Sequence, residues 1–194
     1  MSDFWFYIKL GFTHVLDLAA YDHILFLAAL AIPFTFKSWK KVLILATIFT
    51  ITHCLSLASS AYGILTLNAG LIEFLIPITI ALTALLNIVL VVKDVPTTSL
   101  SFKSLATAFF GLIHGFGFSN YFNMLMADEE HKMSPLLAFA TGIEFSQIAI
   151  VIAVLILAYF FRDILSINKK VFIVTVSVLI LLITIPMLIE TFPK

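Results

Sequence analysis

Residues 70–92 read GLIEFLIPITIALTALLNIVLVV, with Glu73 as the only charge. About 20 apolar residues in a helix cross the hydrocarbon core of a bilayer. Within that core only a helix or a closed barrel satisfies its own backbone polar groups. The stretch therefore predicts a transmembrane helix. The same ruler, moved outward along the chain, gives further spans near 41–62, 102–125, 135–161 and 170–190. The region 4–36 is too long for one ordinary span and is interrupted by Lys9, His14, Asp17, Asp22 and His23. It predicts a short helix near 4–17, a break, and a first span near 20–35, with a single long tilted helix as the alternative. Pro33, Pro96 and Pro135 fall near span ends, whereas Pro77 and Pro186 fall inside spans, where proline kinks a helix. The expected fold is all-α: one polytopic transmembrane helix bundle over residues 1–194, with about six spans plus a short N-terminal helical segment.

Composition leads to the same class. Of 194 residues 62% are hydrophobic and 11% charged, against roughly half and a quarter in soluble domains. Such a chain cannot cover itself with a polar surface, so the lipid bilayer is its expected solvent. Net charge is zero and no basic run occurs, which argues against nucleic acid as a partner. The single cysteine, Cys54, excludes an internal disulfide and a thiolate-rich metal cluster, and reads as a small packing residue. The opening MSDFWFYIKLGF has an early Asp3, a late Lys9 and no small-residue cleavage site, so a retained N-terminus is expected.

Lys and Arg alternate from loop to loop. Lys37, Lys40 and Lys41, then Lys93 and Lys103, then Arg162, Lys169 and Lys170 mark one side. The loop near 62–70 is uncharged, and that near 127–134 is mostly acidic, with Asp128, Glu129 and Glu130 against Lys132. The positive-inside rule then places both termini on the non-cytoplasmic side. Trp5 and Trp39 fall at interfacial positions.

Ionisable side chains at membrane depth cost several kcal/mol unless paired or hydrated. This chain keeps His14, Asp22, His23, His53, Glu73, His114 and Glu144 in or beside apolar segments. One such histidine reads as a packed, hydrogen-bonded side chain; four with three carboxylates read as one shared site in the outer half of the bilayer. Imidazole with carboxylate suits Ni, Co, Zn, Cu(II) or Fe(II) better than Ca or Mg. Thr50, His53, Ser56 and Ser60 share a helix face, as do Glu73 and Asn87, while Glu144 and Gln147 lie one turn apart. Asp17, Thr50, Ser56, Asn87 and Gln147 are therefore expected either to glue helices together or to orient the ligands. Gly111, Gly115 and Gly117 surround His114 and predict a close helix contact or a break lining the site. His131, in the acidic loop, reads as solvated, with a cation-collecting role as the alternative.

These motifs resemble the HupE/UreJ family of bacterial membrane proteins. The resemblance rests on His14 with Tyr21-Asp22-His23, the Thr-rich run Phe49 to Leu57 around His53, Glu73, the block Gly111-Leu112-Ile113-His114-Gly115-Phe116-Gly117-Phe118, and Gly142-Ile143-Glu144. It covers about residues 10–150. His14 and Asp22-His23 lie further apart than in the family's usual motif, so convergence requires a break between them. The resemblance implies nickel or cobalt uptake across the bacterial inner membrane, with metal-delivery or metalloenzyme-maturation partners. The leading expectation is a divalent metal-ion permease rather than an enzyme. One alternative is a membrane-embedded metalloenzyme, a hydrolase or oxidase, with Glu73 or Glu144 as base; another is a haem protein using paired histidines.

Overall fold

Among the described residues, apolar runs interrupted by short polar connections fold into helices, with no strand. The computed structural model describes residues 2–95, 100–127, 129 and 131–193, with side chains from Phe4 onward. Among them are seven α-helices: α1 (Ser2–Val15), α2 (Asp22–Ala31), α3 (Trp39–Ala61), α4 (Ala69–Val92), α5 (Leu100–Leu125), α6 (Met133–Tyr159) and α7 (Lys169–Glu190). A 3-10 turn at Phe36–Ser38 leads into α3, and a π-helical turn at Phe160–Ile164 extends α6. The bounds of α3 to α7 lie within two residues of those expected. Pro96, Asp128 and Glu130 lie outside the described residues.

Among the described residues, four helical segments are long and apolar enough to cross a membrane: Phe36–Ala61, Ala69–Val92, Met133–Ile164 and Lys169–Glu190. The chain is an integral membrane protein. The two other expected spans take different forms. Helix α5 has 26 residues, enough length, but Lys103, His114, Ser119, Asn123 and its glycines dilute its apolar character. Helix α2 is apolar but has only 10 residues, about 15 Å of rise. The region 4–36 is thus two helices joined through residues 16–21, and not one long tilted helix.

Close approach of backbones sets the assembly. Helix α3 packs most extensively on α5, α1 on α6, and α4 on α7. A Cβ on Gly115 would strike the Ser56 hydroxyl and the His53 carbonyl, and one on Gly111 the Thr52 hydroxyl. Helix α5 runs unbroken through this glycine block. Of the two expectations for His114, the close contact is what occurs, and the break lies instead between α1 and α2. The α1–α6 crossing is equally tight: a Cβ on Gly142 would meet the Ile8 carbonyl, and one on Gly11 the Phe139 carbonyl. Small residues at such crossings let dispersion contacts hold helices together where lipid removes the hydrophobic drive.

The ends are tied by polar contacts. Asn123 Nδ2 donates to Ser60 Oγ at 2.8 Å, Lys132 Nζ to the Ala61 carbonyl at 2.6 Å, and Tyr7 Oη to Glu129 Oε1 at 3.0 Å. At the opposite, basic end Arg162 Nη1 donates to the Phe34 carbonyl at 3.1 Å. Asn68 and Asn168 cap α4 and α7.

Replacing Gly142 with Ala should destabilise the protein by about 1–3 kcal/mol, because its new methyl overpacks against backbone. Gly70→Ala, whose Cβ would meet only Asn68 Oδ1 at 3.4 Å, should stay within about 0.5 kcal/mol of wild type. Thermal unfolding of both variants in one detergent measures the difference.

Candidate metal centre

The break between α1 and α2 builds the site. His14 closes the last turn of α1, and Asp22 and His23 open α2. Irregular backbone at membrane depth is tolerated where protein or a watery cavity surrounds it. Two cavities flank this break. One of about 690 Å³ is lined by His14, Asp17, Phe118 and Tyr121, among others. The other, of about 240 Å³, is lined by Tyr21, Asp22, Glu73, Pro77 and Glu190, among others.

Between the cavities four imidazoles meet. The His23 ring centroid lies 4.7 Å from that of His14, 5.6 Å from His53 and 5.3 Å from His114, and His14 lies 5.8 Å from His53. Helix α3 supplies His53 and α5 supplies His114, brought together by the close Gly115 contact. His23, His53 and His114 are each at most 2% exposed. Phe26, Phe49, Phe118 and Phe139 wall the cluster: Phe118 lies 4.0 Å from His14, and Phe49 5.2 Å from His114.

Hydrogen bonds fix which nitrogens are free. Asp22 Oδ1 accepts from His23 Nδ1 at 3.0 Å, leaving His23 Nε2 without a partner. Thr79 Oγ1 donates to the Ile76 carbonyl at 2.7 Å and lies 3.0 Å from His114 Nε2. With its proton committed, the hydroxyl accepts from Nε2–H, so His114 Nδ1 keeps its lone pair and is unpartnered. His14 Nε2 and both ring nitrogens of His53 are also buried and unpartnered. Such groups each cost a few kcal/mol in an apolar interior.

The donor atoms form two overlapping groups. His14, His23 and His53 offer one set, and Asp22, His23 and His114 the other, with the donors of each set within 4.8 Å of one another. A tetrahedral ion with imidazole ligands at 2.0–2.1 Å needs donors about 3.3 Å apart, so modest side-chain rotation would close either set. His23 is in ring contact with each of the other three histidines, and His14 also with His53.

The remaining expected residues lie elsewhere. Neither Glu73 nor Glu144 enters these donor groups. Glu73 is exposed in the smaller cavity, one turn into α4; only Asn87 of that pair looks inward. Glu144 sits about 100° around α6 from Ile143, on the side facing α3. There its carboxylate accepts from Thr47 Oγ1 at 2.6 Å and Thr50 Oγ1 at 2.7 Å. Asp17 is exposed and accepts from the Ala19 amide at 2.8 Å, closing a turn in the connection. The Ser56 hydroxyl donates to the His53 carbonyl at 2.8 Å and holds backbone rather than ring. Asn87 Nδ2 donates to the Ala29 carbonyl at 2.6 Å. Gln147 is fully buried with its amide unpartnered. His131 is exposed in the loop before α6. Thr79, the partner of His114, was not among the expected residues; the stripe Thr79, Thr83, Asn87, at steps of four, is the signal that points to it.

A membrane-embedded helix bundle with a buried imidazole cluster is thus the class that fold and site define. The chain matches the HupE / UreJ protein family over residues 1–191 and belongs to it. No curated protein and no solved structure gives a match.

If the cluster holds a metal ion, Asp22→Asn should weaken binding by about 10–100-fold and Thr79→Val by about tenfold, because each removes the group that fixes a ligand's tautomer. Competition against a chromogenic chelator in detergent checks both, with His131→Ala expected to match wild type.

Proposed function

We propose that this protein is a permease for a divalent transition metal ion, bound in transit by His14, His23, His53 and His114 with Asp22. The observation that carries this reading is the set of unpartnered imidazole nitrogens turned toward one another in a buried, aromatic-walled pocket. A divalent ion supplies what those lone pairs lack, and Asp22 offsets part of its charge. Family membership puts nickel and cobalt first; zinc, iron and copper suit the same donors.

In this reading the chain crosses the bacterial inner membrane six times, with α2 and α5 as the two polar or short spans and both termini on the non-cytoplasmic side. The basic residues Lys37, Lys40, Lys41, Lys93, Arg162, Lys169 and Lys170 face the cytoplasm. The two cavities beside the α1–α2 break then open outward, and Glu73 and Glu190 line the approach. Residues delivered to the cluster by a broken helix match the way transporters build sites near the bilayer midplane. Metal-delivery or metalloenzyme-maturation proteins would receive the ion. Transport is favoured over catalysis because Asp22, the carboxylate in the donor groups, is engaged with His23, while Glu73 and Glu144 are directed elsewhere.

Vesicles containing the purified protein should take up nickel or cobalt. His23→Ala or His53→Ala should lower the initial rate at least about tenfold, the effect of losing one ligand of a small shell. Uptake should also weaken in acid, because protons compete with the metal ion for the same imidazole nitrogens. Vesicles that take up neither ion, or variants as fast as wild type, would reject the reading.

A further inference from the structure

A binding cluster open to one side of the membrane still needs a way to the other. Helices α4 and α5 pack on each other, and each turns a row of polar side chains into their contact. On α5, Lys103, Thr107, Phe110 and His114 follow at steps of four, three and four, one face of the helix. On α4, Thr79, Thr83 and Asn87 follow at steps of four. Thr79, Thr83, Asn87 and Thr107 are all buried. The two rows meet at both ends, through Thr79 Oγ1 and His114 Nε2 at 3.0 Å and through Lys103 Nζ donating to Asn87 Oδ1 at 3.4 Å. Along α5 those ends are about 16 Å apart, half the hydrocarbon core.

Between the ends lies a small cavity of about 30 Å³, lined by Phe26, Thr83, Lys103, Thr107 and Phe110, among others. Its wall is mostly apolar, from Leu30, Leu86, Leu90 and Phe102 besides the phenylalanines named, and Thr83 and Thr107 are its hydroxyl-bearing residues. Lys103 reaches it from the basic end. Its ammonium is also 5.6 Å from the centroid of the Phe34 ring, a cation–π contact. Lys103 is half-buried in the first turn of α5, and ionisable groups that face the interior of a membrane bundle mark ion or proton paths. Hydroxyls lining a helix contact do more than glue when they lead, turn after turn, from a ligand to a half-buried charge.

We infer that the seam between α4 and α5, from His114 past Thr79, Thr83 and Thr107 to Asn87 and Lys103, is the inward path of the ion, and that the Lys103 ammonium is the tethered cation that closes it. The inference rests on the permease reading. Held by Asn87 and Phe34, the ammonium occupies the inner end and repels a second cation. Swinging out to the basic loop surface, it would leave Asn87 Oδ1 and the threonine hydroxyls to solvate the departing ion. The seam uses only neutral oxygen donors, weaker for these metals than imidazole, so the ion does not lodge there.

The test uses the full-length protein in lipid vesicles with nickel and with cobalt as probes. Thr83→Val with Thr107→Val should slow uptake about tenfold by removing the oxygen donors of the seam, with metal bound per protein unchanged. Thr83→Ser with Thr107→Ser should stay within about twofold of wild type, since the hydroxyls remain. Lys103→Met should let preloaded vesicles lose metal at least about fivefold faster, and Lys103→Arg, which keeps the charge, should not. Wild-type rates in the Val pair, or a Ser pair as slow as the Val pair, would overturn the path. Wild-type leak in Lys103→Met would overturn the gate. If the Val pair no longer holds metal, the leak of Lys103→Met decides by itself. Wild-type protein that moves no metal would end the permease reading and this inference with it, whereas transport unaffected by any of these variants removes the seam alone.

Discussion

A buried imidazole nitrogen with no partner costs a few kcal/mol, and a bilayer offers no water to relieve it. Here His14, His23, His53 and His114 accumulate that cost in one place, with ring centroids 4.7 to 5.8 Å apart among the contacting pairs. The surrounding structure is arranged to maintain it. Gly115 lets α5 approach α3 until His114 and His53 share a pocket, and Gly142 lets α1 cross α6 so that His14 reaches the same pocket. Phenylalanines enclose the rings and leave the lone pairs facing each other.

Two polar contacts give the cluster chemical direction. Asp22 fixes His23 through Nδ1, and Thr79, its proton spent on a backbone carbonyl, fixes His114 through Nε2. Each leaves one unprotonated nitrogen aimed inward, the form a metal ion requires. Without these contacts either ring would be free to present N–H instead of a lone pair.

Much of this was legible in the sequence, for a physical reason. Membrane-length apolar runs are imposed by bilayer thickness, so residues 41–62, 70–92, 102–125, 135–161 and 170–190 disclose helices nearly to the residue. Ionisable groups inside such runs are costly enough to mark themselves, and His23, His53 and His114 did so. What stayed hidden depends on rotation and tilt. Glu73 and Glu144 were expected at the site, yet Glu73 opens into a cavity and Glu144 is taken by Thr47 and Thr50. Hydropathy carries depth but not which way a helix is turned. The break that returns His14 to Asp22-His23 was expected from its interrupting charges, while Thr79 passed unnoticed because one threonine in an apolar helix is ordinary.

The central claim is that these imidazoles bind a transition metal ion, and metal content with X-ray absorption on protein purified without chelator or a histidine tag tests it most directly. About one ion per chain is expected, with three or four nitrogen neighbours near 2.0–2.1 Å and imidazole scattering in the outer shells. Protein that stays free of metal after incubation with nickel, cobalt and zinc, or an ion bound without imidazole, would contradict it.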